Sequence, residues 1–88
     1  MANIKSAEKR SRQSVIRNTR NRSIRSKMRG AVKTLRAAVE SGDKAKAREL
    51  LLPTLSLVDA TAQKGVIHRN AAARTKSRLT RAVSKLDD

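Results

Sequence analysis

The chain has 88 residues, with 22 Lys or Arg against 7 Asp or Glu and a formal net charge of +15. That length suits one small domain with little room for a large core, and self-repulsion at that charge calls for a polyanionic partner. Cys, Phe, Tyr and Trp are all absent, which excludes disulfides, thiolate metal sites and the aromatic platforms on which common modules stack single-stranded bases.

The first predicted element is a helix over residues 5 to 41. Ile24, Met28, Ala31, Val32, Leu35, Ala38 and Val39 recur at the three- and four-residue spacing of one helical face. Continued backwards at about 100° per residue, that face meets Arg20, Arg17 and Gln13. The stripe that is apolar beyond residue 24 is therefore polar and basic before it. Packing cannot hold a segment without an apolar face. At about 1.5 Å per residue the helix is roughly 55 Å long, so its N-terminal part is expected to project from the bundle and to order itself against RNA.

Gly42-Asp43 has the character of a helix stop followed by the N-cap of a second helix, over residues 44 to 64. Its stripe is Ala47, Leu51, Leu55, Val58 and Ala62, widened by Leu50 and Leu57. Pro53 removes one ladder donor inside it, so a kink is expected there, with a separate helix starting at Pro53 as the alternative. Lys64-Gly65 is a second stop, a cation followed by glycine. A third helix, over residues 68 to 86, carries Ala71, Ala72, Leu79, Ala82, Val83 and Leu86 on one face. Three amphipathic helices joined by tight turns make an all-α, antiparallel three-helix bundle with a long, basic, projecting first helix. The expected organisation is one RNA-binding domain over 1–88, comprising a basic extension over 1–23 and a bundle over about 24–86.

Charge follows the same divisions. Residues 1 to 36 hold 12 basic residues against Glu8, a net of +11. Residues 37 to 63 hold three basic and four acidic, a net of −1, and residues 64 to 88 hold seven against two, a net of +5. Both ends seek a polyanion and the middle does not.

Two constellations carry the binding chemistry. The first is Lys5, Lys9, Arg10, Arg12, Arg17, Arg20, Arg22, Arg25, Lys27 and Arg29, with Asn3, Asn18 and Asn21 as added hydrogen-bonding groups. Arginine supplies a planar fork for bidentate phosphate contact and lysine a point charge. Because these cations surround the helix, the segment is suited to touching more than one RNA strand. The bland alternative, a solvated charged face, usually has mixed charges, whereas only Glu8 offsets these ten. The second constellation is Lys64, His68, Arg69, Asn70, Arg74, Lys76, Arg78 and Arg81, in which Arg74, Arg78 and Arg81 share a face at spacings of four and three. His68 stands alone, without a second histidine or a cysteine to complete a metal site. It suits contact with a phosphate or a base, or an ordinary place in a turn.

No catalytic residues, cofactor or metal are expected, and the chain is not expected to be an enzyme. Glu40, Asp43 and Glu49 lie near the first turn without a paired general acid, and no nucleophile elbow or glycine-rich phosphate loop occurs. No apolar stretch approaches the roughly 20 residues of a membrane span, and the opening has no apolar signal-peptide core. Its Arg- and Ser-rich composition resembles an organelle transit peptide, but it lacks the apolar face of one. A cytoplasmic location is therefore expected. Recognition of folded RNA by its shape and phosphate positions is the mode that remains. The rivals are a DNA-compacting, histone-like protein and a basic amphipathic protein of membrane surfaces. The former would bind duplex DNA as well as folded RNA; the latter would bind anionic vesicles in competition with RNA.

Several blocks resemble one family over essentially the whole chain. They are the opening Met1-Ala2-Asn3-Ile4-Lys5-Ser6-Ala7, the pair Lys9-Arg10, the central Met28-Arg29 and the turn Gly42-Asp43-Lys44-Ala45. The most specific is Lys64-Gly65-Val66-Ile67-His68-Arg69-Asn70-Ala71-Ala72-Ala73-Arg74-Thr75-Lys76-Ser77-Arg78-Leu79. In order and spacing they resemble the bacterial small-subunit ribosomal protein S20 family; the middle helix matches loosely. The resemblance implies a three-helix bundle with an extended first helix, present as a monomer within the ribosome. It implies direct binding to 16S ribosomal RNA early in assembly, low on the subunit body, bridging the RNA's 5′ domain and its long 3′ minor-domain helix. The residues it marks as RNA-facing are Asn3, Lys5, Lys9 and Arg10, then His68, Asn70, Arg74, Lys76 and Arg78. No membrane and no small-molecule substrate are implied.

Overall fold

A computed structural model describes the backbone over residues 2–86 and the side chains over residues 6–86. Three helices follow in order: α1 Ala2–Glu40, α2 Lys44–Gln63 and α3 Arg69–Lys85. No strand occurs among the described residues. The expected bounds are met to within one residue, except that α1 begins three residues earlier.

Both expected stops are glycines in the left-handed region, Gly42 at φ 75° and Gly65 at φ 76°. The Gly42 N–H donates to Val39 O at 3.1 Å and the Asp43 N–H to Ala38 O at 3.1 Å, the paired closure of a Schellman motif that satisfies carbonyls left over at the end of α1. Gly65 and Val66 close α2 in the same way, onto Ala62 O at 2.9 Å and Thr61 O at 3.2 Å. Asp43 then serves a second helix, its carboxylate accepting from the Lys46 N–H at 3.1 Å as the N-cap of α2.

The core is small and aliphatic. Val32, Leu35 and Ala38 of α1, Ala47 and Val58 of α2, and Ala72, Leu79 and Val83 of α3 are buried, with Met28, Val39, Leu50, Leu51 and Leu55 packed around them. The stripes read from the sequence therefore meet. Two buried positions, Thr54 and Thr61, continue the α2 stripe in register but are polar, so apolar periodicity passes over them. Burial is tolerable for Thr61 because its hydroxyl donates to Leu57 O at 2.7 Å. Val66, in the α2–α3 turn, is also buried. Pro53 lies within one continuous helix, so the alternative of a separate helix does not occur. Pro53 removes the ladder donor to the Glu49 carbonyl, and both residues are exposed.

α2 packs against both neighbours, whereas α1 and α3 touch each other least. The molecule is elongated, 67 × 21 × 15 Å with a radius of gyration of 17.8 Å, against about 12 Å for a compact chain of this length. The 39 residues of α1 explain this, since at about 1.5 Å each they span roughly 58 Å. The α1 side chains from Ser6 to Arg20 are all exposed, and half-burial begins at Asn21 and Ile24. The first helix therefore projects.

Candidate nucleic-acid interface

The first constellation lies along the projecting helix. Lys9, Arg10, Arg12, Arg17, Arg20, Arg22, Lys27 and Arg29 are exposed, as is Asn18, and Asn21 is half-buried. At about 100° per residue these cations surround α1 instead of forming a stripe. None of the α1 cations from Lys9 to Arg36 forms an ion pair among the described residues. The side chains of Asn3 and Lys5 lie outside the described residues. Val15 and Ile16 stand among the cations, 61% and 66% exposed, where no neighbouring helix is present to cover them.

Arg25 marks the boundary between the two halves of α1. It is half-buried, and its guanidinium donates to Val66 O at 3.5 Å, a long and weak contact that brings α1 to the α2–α3 turn. The second constellation begins at that turn. Lys64, His68, Arg69 and Asn70 are exposed around it, so the structure brings the base of the first set next to the start of the second. His68 is the N-cap of α3, and its Nδ1 accepts from the Asn70 N–H at 3.0 Å. A backbone N–H can only donate, so Nδ1 is the acceptor in this contact. The histidine therefore has a structural duty as a helix cap, a role its isolated place in the sequence did not signal.

Arg74, Arg78 and Arg81 are exposed along α3 as their spacing requires. The Arg81 guanidinium donates to Ser77 Oγ at 3.0 Å, one turn back. Lys76 differs. It is half-buried and its Nζ lies 2.9 Å from Asp59 Oδ1, so it ties α3 to α2. Six cations lie outside the two sets, Lys44, Lys46 and Arg48 on α2 and Lys33, Arg36 and Lys85 on α1 and α3, and all six are exposed. A signal for Lys33 and Arg36 was present in the sequence: Arg29, Lys33 and Arg36 follow the same spacings of four and three. Among the described residues no group of acidic, histidine or cysteine side chains is arranged to hold a metal ion, and no helix is long and apolar enough to cross a membrane.

The family model of ribosomal protein S20 matches residues 2–84. A relative from Mycolicibacterium gilvum, named small ribosomal subunit protein bS20, is 54% identical over 86 residues, covering 98% of this chain and 100% of its own. Proteins of the same name from Mycobacterium ulcerans and Bordetella pertussis are 52% and 51% identical over 86 residues, covering 98% of this chain and 99% of each relative. With the family model spanning nearly every residue and identity above half in all three of these relatives, the chain belongs to the ribosomal protein S20 family.

Proposed function

We propose that this protein is a structural constituent of the small ribosomal subunit that binds 16S ribosomal RNA directly and stabilises its fold during assembly. The observation that carries this reading is the projecting half of α1, whose exposed cations surround the helix without ion pairs among the described residues. A solvated surface helix is normally laced with opposite charges; this one is left for an external polyanion to neutralise. Family membership supports a ribosomal setting; on this reading the protein is ribosome-associated in the cytoplasm and acts as a monomer there.

The mechanism is electrostatic and steric. Lys and Arg displace condensed counterions from phosphates, and the rigid shape of the bundle and its projecting helix selects where those phosphates must be. Residues 1–23, lacking a packing face, become fully ordered as the RNA surrounds them, while the bundle over about 24–86 stays as it is. With no aromatic side chains in the chain, base stacking contributes little and position contributes most.

The test is binding of the purified protein to naked 16S ribosomal RNA with duplex DNA as competitor, together with a footprint of the RNA. Protection confined to a few RNA helices and resistant to excess DNA is the expected result. Diffuse protection that DNA removes would overturn the reading in favour of a non-specific, DNA-compacting protein. If about eight phosphates are neutralised, affinity falls by roughly 10³ or more between about 50 and 200 mM salt.

A further inference from the structure

The three helices do not share the charge equally. α1 holds 12 basic residues against 2 acidic, α3 holds 6 against none, and α2 holds 3 against 2. The near-neutral helix packs against both of the others, and the two basic helices touch least. Like charge on α1 and α3 opposes close approach along their shared side, and the structure leaves a groove there. One part of it, of about 490 Å³, is lined by Met28, Arg29, Val32, Lys33, Arg36, Ala37 and Glu40 of α1 and by Thr75 of α3. A second part, of about 370 Å³, lies towards the far end of the bundle, where Arg78, Arg81 and Lys85 of α3 flank Val39, Ala82 and Leu86.

The two parts share no lining residue, but both lie on the side of the bundle where α1 meets α3. On α1, Arg29, Lys33 and Arg36 form a ridge beside the half-buried or buried Met28, Val32 and Val39. On α3, Arg78, Arg81 and Lys85 form the facing ridge beside the half-buried Thr75, Ala82 and Leu86. Each part thus sets the cations of one helix beside largely aliphatic side chains, with Glu40 the single acid among the lining residues.

We propose that the α1–α3 seam is a second RNA site, gripping the sugar–phosphate edge of one RNA strand between the cations of its two helices; this rests on the function proposed above. Charge complementarity selects the occupant. An acidic strand relieves the repulsion between the two helices, whereas an uncharged partner would leave six cations desolvated and unpaired. Phosphates meet the guanidinium and ammonium groups, and ribose carbons lie on the aliphatic side chains, with no aromatic ring on which to stack a base. Lys33, Arg36 and Lys85 are RNA-binding residues on this reading.

Two paired variants test it on the full chain, bound to 16S ribosomal RNA. K33A/R36A removes two charges from the seam, and K44A/K46A removes two exposed charges from the α2 surface. All four positions are exposed on helices, so alanine leaves the fold intact, which a thermal melt verifies. The seam pair is expected to weaken binding about tenfold or more and to lower the salt slope by about 2, the α2 pair less than threefold. A seam pair that binds like the parent, or no worse than the α2 pair, overturns the seam. Because the chain has no cysteine, K33C, R81C and L52C each accept one tethered cleavage reagent. Positions 33 and 81 should cut the same short stretch of RNA, with Leu52, exposed on α2, cutting it weakly. Cuts from positions 33 and 81 in unrelated stretches would equally overturn the proposal. A parent protein without any confined footprint would instead sink the RNA-binding function itself.

Discussion

The two halves of α1 are one continuous helix with the same basic composition, yet they are held by different forces. From Ile24 onward the helix lays Val32, Leu35 and Ala38 into the core, and hydrophobic burial fixes it. Before that point every described side chain to Arg20 is exposed, and the helix depends on local hydrogen bonds and propensity, which are marginal in water for a piece of this length. The lesson is that helix and function separate along the chain. Where apolar residues recur every three or four positions, the helix builds the scaffold. Where that recurrence stops and the cations continue, the helix is left exposed to solvent.

The largest expected effect breaks that division directly. Removing residues 1–23 deletes seven cations and one acid; affinity for 16S ribosomal RNA should fall by roughly a thousandfold, with little change in the thermal midpoint of the remaining bundle. Loss of cooperative melting on truncation would show that the projecting half supports the fold, contrary to its exposure.

A matched pair of substitutions sharpens the comparison. Leu35 is fully buried, and Leu35→Ala should cost about 2–5 kcal/mol by urea titration, from lost burial and the cavity left behind. Ile16 is 66% exposed, so Ile16→Ala should leave stability within about 0.5 kcal/mol. An equal loss from both would mean that the projecting half packs against something in solution.

The smallest effect concerns the turn where the halves meet. His68→Ala removes the acceptor that caps α3 at Asn70, at a cost of about 1 kcal/mol. His68→Asn retains a capping oxygen and should restore most of that stability. If RNA affinity stays low in the stable Asn variant, the histidine ring itself contacts the RNA; if affinity returns with stability, its role is the cap alone.

The sequence by itself determined the three helices, their ends and their core faces. Those are local properties: glycine alone tolerates φ near +75° without strain, Asp43 carries its own capping oxygen, and a 3.6-residue period is visible in residue types. It also carried the expectation of a polyanionic partner, because charge and missing aromatics need no coordinates. Thr54 and Thr61 escaped notice because burial of a polar side chain depends on what lies opposite it, and Lys33, Arg36 and Lys85 because each was read on its own helix. Only the tertiary structure set α2 against both neighbours and left α1 and α3 apart. It paired Lys76 with Asp59, gave His68 its cap, and brought cations 42 and more residues apart in sequence to the same side of the bundle. Periodicity specifies which face of a helix is buried; which charged faces become neighbours is decided by how the helices pack around the core.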